Sequence, residues 1–387
     1  MAIICTSDDN EFYKYKNLIK SRKVNFRIKD IFEDHWDNFV EEHPDITIRD
    51  IVFKSVQEII DCGTKTLGFH LYECQNCKGY HFVYHTCKNK FCPSCGNKYN
   101  KTRATVIKSV LINHNHRHAT FTIPEELRFI FRQDRKLLNL LFKAVDLTIK
   151  EYFKQRNIDA TPAFICVLHT GGRSINWNPH IHVLLLEGGI KNGNLVKINF
   201  FSYNFFRKKF MYILLNLLED KLGKKEFHKL KDEMWIKHGK EGFYVNIPNK
   251  KYDTLDSIIR YVSRYLSRPI MAESRILNYD GKYITFWYQN HKDEKIIIEK
   301  VHVYEFIKRL IIHIPDKQMK YIRYYGAYNN TSKNKANIFI KRFSDSVITG
   351  LKKLNYWQQS IMNDFKRNPL ECPVCGSIMI YALSYFP

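Results

Sequence analysis

No run of apolar residues in this chain of 387 residues is long enough to cross a bilayer, which takes about 20 in a helix. The longest runs, such as FMYILLNLL at 210–218, stop far short of that. The opening residues, MAIICTSDDNEFYKYK, lack the basic-then-apolar order of a secretory signal. Internal repeats and low-complexity linkers are absent too, which excludes a solenoid or fibrous array. Acidic residues are scarce beside basic ones: 39 Asp and Glu face 62 Lys and Arg, a net charge of +23. These absences leave a protein expected to be soluble and intracellular. Its positive charge suggests a polyanionic partner, most often nucleic acid, although AT-rich coding also inflates Lys, Asn and Ile.

What is present fits globular domains. Apolar residues make up 44% and charged residues 26%, as in ordinary folded proteins. Aromatics reach 14%, with 24 Tyr, enough for a core and for stacking surfaces. The length exceeds a single core, so two or three domains are expected. Residues 1–60 carry helix-period apolar residues, and 62–97 break that pattern with Cys, His, Gly and Asn. KTRATVIKSVLINH reads as a basic helix. HATFTIP, AFICVLHT and HIHVLLLEGG read as strands, RKLLNLLFKAVDLTIKEYFKQR and FFRKKFMYILLNLLEDKLG as helices, and RILNYDGKYITFWYQ as a hairpin turning at Asp280-Gly281. KIIIEKVHV and YEFIKRLIIHI then read as a strand and a helix. The expected class is α+β with a mainly antiparallel central sheet. Boundaries are expected near 115 and 275, giving a helical zinc-binding segment (1–115), a sheet-bearing middle (116–275) and a C-terminal α/β extension of hairpin, helices and knuckle (276–387).

Ten cysteines in a reducing compartment point to metal rather than disulfides. Cys74-x-x-Cys77 and Cys92-x-x-Cys95 are two knuckles fourteen residues apart. Each can turn two thiolates toward one ion, so the four are expected to form a closed tetrahedral zinc shell. Cys62, His70 and Cys87 lie in the same span and could serve a second zinc, while His81 and His85 can be plain surface residues. A further knuckle, Cys372 and Cys375, has no Cys or His after it and needs partners from elsewhere. Closed sulfur shells leave no open position for chemistry, so all of these read as structural.

The stretch NPHIHVLLLEGG, 178–189, is different. On a strand, residues i and i+2 face the same side, so His180 and His182 point together while Ile181 faces the opposite layer. Alone, the pair is equally two satisfied core histidines. His169 ends the preceding strand-like run and can fall beside it if the two runs pair. Three imidazoles with open positions could hold a divalent ion. TLDSIIRYVSRYLSRP reads as a helix with Tyr261 and Tyr265 one turn apart, at the edge of its apolar stripe. Arg260, Arg264 and Arg268 lie further round, suited to a phosphate backbone. In a chain this rich in Tyr, boundary residues of an amphipathic helix are the plain alternative.

Taken in order, CKNKFCPSCG, FTIPEELR, LHTGGRSINWNPHIHV, RYVSRYLSRP and YEFIKRLIIHIPDKQMKYIRYYG resemble the two-tyrosine HUH rolling-circle transposases with an N-terminal zinc-binding domain. The resemblance covers most of the chain. It implies a central HUH nuclease domain and a metal-dependent DNA strand transferase that nicks and joins single-stranded DNA through a 5′-phosphotyrosine, moving an insertion sequence by a rolling-circle-like route. It assigns Tyr261 and Tyr265 as nucleophiles and His180 and His182 as ligands of Mg²⁺ or Mn²⁺; the third ligand varies among such enzymes, and here His169 is the expected one, with Asn, Gln or Glu elsewhere as the alternative. It also implies one or two structural zincs, single-stranded DNA at element ends and target as partner, and a cytoplasmic, nucleoid-associated protein; self-association stays open. Three alternatives remain at this point: another HUH enzyme such as a replication initiator or relaxase, a zinc-containing nucleic-acid-binding protein without catalysis, and a metal hydrolase using water.

Overall fold

A computed structural model describes residues 3–6, 10–21, 23–108, 110–198, 201–248, 251–252, 270–290, 294–329, 362 and 368–387. The expected α+β class holds: among the described residues, helices pack on three antiparallel sheets.

The first residues are not wholly helical. Ile3–Thr6 is a strand, β1, ahead of the helices α1 (Asn10–Ser21), α2 (Ile28–Glu42) and α3 (Asp50–Ile60). Four residues, IICT, are too few to show a period, and their pairing partner lies near residue 298. The Cys-rich segment forms a hairpin, β2 (Phe69–Cys74) and β3 (Tyr80–Tyr84), followed by α4 (Pro93–Lys108).

The central sheet uses β4 (His116–Thr122), β5 (Thr161–Gly171), β6 (Trp177–Lys191), β7 (Asn194–Lys197), β8 (Val245–Asn246) and β9 (Lys251–Tyr252). Between them run α5 (Glu125–Gln133), α6 (Leu138–Gln155), α7 (Tyr203–Leu222) and α8 (Lys224–His238). After residue 270 come β10 (Ile276–Tyr279), β11 (Tyr283–Gln289), β12 (Ile296–His302), α9 (Val303–Ile311), β13 (Ile322–Gly326) and finally β14 (Met379–Tyr385). The Asp280-Gly281 hairpin is as expected, with Gly281 at φ 85°.

The central sheet has the order β13-β5-β6-β4-β8, with β7 against β6 and β9 against β4. One face carries Phe121, Phe164, Cys166, Ile181, Val183 and Leu185 into a core with α5, α6, α7 and α8. Each Å² of apolar surface buried in this layer contributes about 25 cal/mol to stability. The LEGG end of β6 lies hard against α6. A Cβ on Gly189 would stand 2.7 Å from the Phe153 ring and 2.8 Å from Ala160, so only glycine lets the strand approach this closely.

A second sheet, β1-β12-β11-β10, shares its core with α2, α3 and α9. Packing therefore crosses both expected boundaries: residues 28–59 are buried against 271–314, and β13 returns to pair with β5. A third sheet, β14-β2-β3, unites the Cys-rich hairpin with the last strand. Among the described residues, no helix is long and apolar enough to cross a membrane.

Candidate metal centres

The face of the central sheet opposite the main core carries the histidines. The β5–β6 register sets His169 directly across from His180, and His182 follows two residues on. Antiparallel pairing and the period of two thus bring all three rings to one place. Their nitrogens lie within 4.8 Å of one another. Ring centroids are 4.6 Å apart for His169–His182 and 4.8 Å for His180–His182. The Nδ1–H of His180 donates to the carbonyl of Asn178 at 2.7 Å, which leaves its Nε2 lone pair directed at His182 Nε2, 3.1 Å away. Two nitrogens this close must share one proton or one cation, so the donor set fits a metal ion. Ile181 points into the main core, as read from the sequence.

A fourth histidine was not foreseen. His118 on β4 places Nε2 2.9 Å from His182 Nδ1, and Thr120 Oγ1 stands 3.0 Å from the one and 3.3 Å from the other. Burial, and then the charge of nearby His180, push His118 down to about 4. A neutral His118 can orient the His182 ring from behind, as outer-shell partners of metal-bound imidazoles do. The signal was the i, i+2 alternation of His118 and Thr120. What could not be read was that β4 and β6, sixty residues apart, lie side by side.

The loop between His169 and His180 is anchored. The Arg173 guanidinium donates to the carbonyls of Gln289 and Asn290 at 2.9 and 2.7 Å. Ile175 is buried in the second core at φ 63°, and its carbonyl accepts from His313 Nε2 at 3.0 Å. His313 also pairs with Thr170 Oγ1 at 3.0 Å and stacks on Trp177. Beneath the strand, Arg117 and Glu187 form an ion pair with both side chains almost fully buried. Tyr261, Tyr265, Arg260, Arg264 and Arg268 lie outside the described residues.

The sulfur sites differ from the expected grouping. Cys74, Cys77, Cys92 and Cys95 do not converge. Instead Cys62 and Cys87 join Cys92 and Cys95, and Cys74 and Cys77 join Cys372 and Cys375. The reason is the hairpin. Cys74 ends β2, a six-residue strand about 20 Å long, while Cys62 and Cys87 lie beyond its other end. The partner for the far end comes from β14, which runs antiparallel to β2 and sets Met379 opposite Cys74. His70 joins neither cluster; its Nδ1 bonds Ser384 Oγ. His85 bonds the Leu67 carbonyl at 2.9 Å.

Sulfur spacings test the fit to zinc. A tetrahedron with Zn–S near 2.3 Å requires S···S of about 3.8 Å. In the first cluster Cys62–Cys95, Cys87–Cys95 and Cys62–Cys92 are 3.6, 3.6 and 3.8 Å apart. In the second, Cys74–Cys375 and Cys77–Cys372 are 3.4 and 3.6 Å apart. Backbone N–H groups of Cys375 and Val374 hold Cys372 below its usual range, and that of Ser377 holds Cys375 at about 6. Such donation favours the thiolate, the form that binds metal. Gly376 at φ 73° closes the Cys372–Cys375 knuckle.

Two clusters of four cysteines and a histidine triad on an antiparallel sheet are thus three groups whose donor atoms could each hold a metal ion. Comparison with known proteins narrows the class. Residues 31–123 match the family described as "Transposase zinc-binding domain", and residues 163–336 match the family described as "Putative transposase". The chain is 27% identical over 366 residues to the transposase for insertion sequence element IS801 of Pseudomonas savastanoi pv. phaseolicola, covering 89% of this chain and 86% of that protein. It is 23% identical over 324 residues to the "Putative transposase y4qJ" of Sinorhizobium fredii (strain NBRC 101917 / NGR234), covering 78% and 80%. No solved structure shows significant similarity. Along most of its length the chain is thus similar to transposases that carry an N-terminal zinc-binding domain.

Proposed function

We propose that this transposase nicks and joins single-stranded DNA through a 5′-phosphotyrosine, moving its insertion sequence by a rolling-circle-like route. The observation that carries the reading is the convergence of His169, His180 and His182 within 4.8 Å, with His118 and Thr120 behind His182. Structural zinc is accounted for by the cysteines, so a separate all-imidazole site implies a second, chemical role.

In this reading His169, His180 and His182 would hold Mg²⁺ or Mn²⁺, which when bound neutralises charge on the scissile phosphodiester. The phenolic oxygen of Tyr261 or Tyr265 attacks phosphorus, and the bond from phosphorus to the 3′ oxygen breaks. The phenol gives up its proton, the departing oxygen gains one, and a 3′-OH and a tyrosine-linked 5′-phosphate result. Attack by a second 3′-OH reverses the step and joins strands, with the second tyrosine available for another transfer. Arg260, Arg264 and Arg268 are assigned to the phosphate backbone. His118 and the Asn178 carbonyl hold the imidazoles in register.

The test is incubation of purified protein with labelled single-stranded DNA and Mn²⁺, read on a denaturing gel. A protein–DNA adduct is expected, lost in the Tyr261→Phe/Tyr265→Phe double variant and in His180→Ala. An adduct that survives in the double variant, or strand cutting with no adduct at all, would sink the tyrosine chemistry.

A further inference from the structure

The sheet β14-β2-β3 presents a face that a soluble protein does not ordinarily leave to water. The β2–β3 register sets Phe69 beside Tyr84, Leu71 beside Phe82 and Glu73 beside Tyr80. The β14–β2 register adds Tyr385 beside Phe69 and Leu383 beside Leu71. Two rows of three apolar side chains therefore cross all three strands, with Tyr80 extending the face at the Glu73 end. These side chains are not buried: Tyr80, Phe82, Tyr84, Leu383 and Tyr385 are between 42% and 64% exposed. Their rings contact one another, with centroids 5.0 Å apart for Phe69–Phe82, 5.6 Å for Phe69–Tyr385 and 6.2 Å for the stacked Phe82–Tyr84. A contiguous exposed patch of this kind marks a binding surface.

Its setting specifies the partner. Within 61–108 the sequence holds eight Lys and Arg against Asp61 and Glu73. Exposed Lys78 lies two residues before Tyr80, and exposed Lys88 lies four after Tyr84, so positive charge flanks β3 at both ends. The sulfur clusters brace the same ends, Cys62 and Cys87 beyond Phe69 and Tyr84, Cys74 and Cys77 beside Tyr80. A rigid row of rings between cations suits a strand whose bases are unpaired and whose backbone is anionic. Duplex DNA, whose bases already stack on each other, offers no such faces.

We propose that the metal-braced sheet β14-β2-β3 is a stacking platform for the bases of single-stranded DNA, with Tyr80, Phe82 and Tyr84 on one edge and Leu383 and Tyr385 on the other. This rests on the reading above that the substrate is single-stranded. The platform is separate from the histidine triad, so binding and chemistry are separable.

The experiment measures binding of full-length protein to fluorescent oligothymidylate by anisotropy, with zinc content and duplex binding in parallel. Tyr80→Ala/Phe82→Ala/Tyr84→Ala should weaken oligothymidylate binding by about tenfold or more, leaving zinc content and duplex binding unchanged. Leu383→Ala/Tyr385→Ala, on the opposite edge, should weaken it in the same direction. Tyr80→Phe/Tyr84→Phe should bind as wild type, because the ring and not the hydroxyl is used. Both alanine variants binding within about twofold of wild type with zinc intact would overturn the platform, as would wild type with no affinity for oligothymidylate. So would a face used by a second copy of the chain, seen as a dimer that the substitutions dissociate while DNA binding persists. Wild type that binds through the platform yet forms no adduct removes the tyrosine chemistry and leaves the platform. Alanine variants that bind normally and form adduct do the reverse.

Discussion

Cys74 Sγ stands 3.4 Å from Cys375 Sγ although 301 residues separate them in sequence. The contact makes the last knuckle a partner of the first, and makes metal content a direct test of topology. Full-length protein should bind two zinc ions. Cys372→Ser/Cys375→Ser should bind one, and Cys92→Ser/Cys95→Ser should also bind one. Elemental analysis of purified protein checks this. Loss of all zinc from one variant, or none from the other, contradicts two independent sites.

His118 should matter to the histidine triad without belonging to it. His118→Ala removes the group 2.9 Å behind His182. Outer-shell partners of this kind are worth about 10–100-fold in metal affinity. Titration with Mn²⁺ should show that weakening, with the melting temperature of the metal-free protein little changed. Affinity equal to wild type would show that His118 does not position the ring.

Arg117 and Glu187 form an ion pair almost out of reach of water. Removing one charge strands the other, which costs about 3–5 kcal/mol, whereas replacing both by apolar residues is close to neutral. Glu187→Leu should therefore lower the melting temperature sharply, and Arg117→Met/Glu187→Leu should regain most of the loss. A double variant as unstable as the single one would mean that the pair's value lies in something other than mutual neutralisation.

Stability should fall in mild acid. His116 and His313 are both held at about 4 by burial, against an ordinary 6.5. His116 donates Nδ1–H to the His114 carbonyl and meets the Tyr328 hydroxyl at Nε2, 2.7 Å away. Their folded values are depressed, so between about 6.5 and 4 the unfolded chain binds more protons and stability drops as pH falls. Each histidine contributes a slope of about 1.4 kcal/mol per pH unit. Urea midpoints at pH 7 and pH 5 measure it. The slope should flatten in His116→Gln/His313→Gln; an unchanged slope would place the acid sensitivity elsewhere.

The legible parts of the site are those carried by local rules. His180 and His182 face together because strand period is two, and His169 joins them because a short polar loop returns the chain to its neighbour. His118 was illegible because nothing near it encodes its register against β6 across sixty residues. The cysteine pairing failed for a related reason. Knuckles of the form C-x-x-C are chemically interchangeable, and what sorts them here is the length of β2 and the arrival of β14. The same holds for β1: four residues show no period, and only β12 gives them a place.

Because the first knuckle waits for the last one, the N-terminal zinc-binding segment is not a detachable module. A fragment ending at residue 115 would contain one complete sulfur cluster and half of another, its β2 edge bare. On the ribosome, the early part of the chain must hold Cys74 and Cys77 unpaired until residue 375 emerges. At ordinary translation rates of about 5–20 residues per second, that is a delay of many seconds. The third sheet is thus complete only once the strand Met379–Tyr385 has been made.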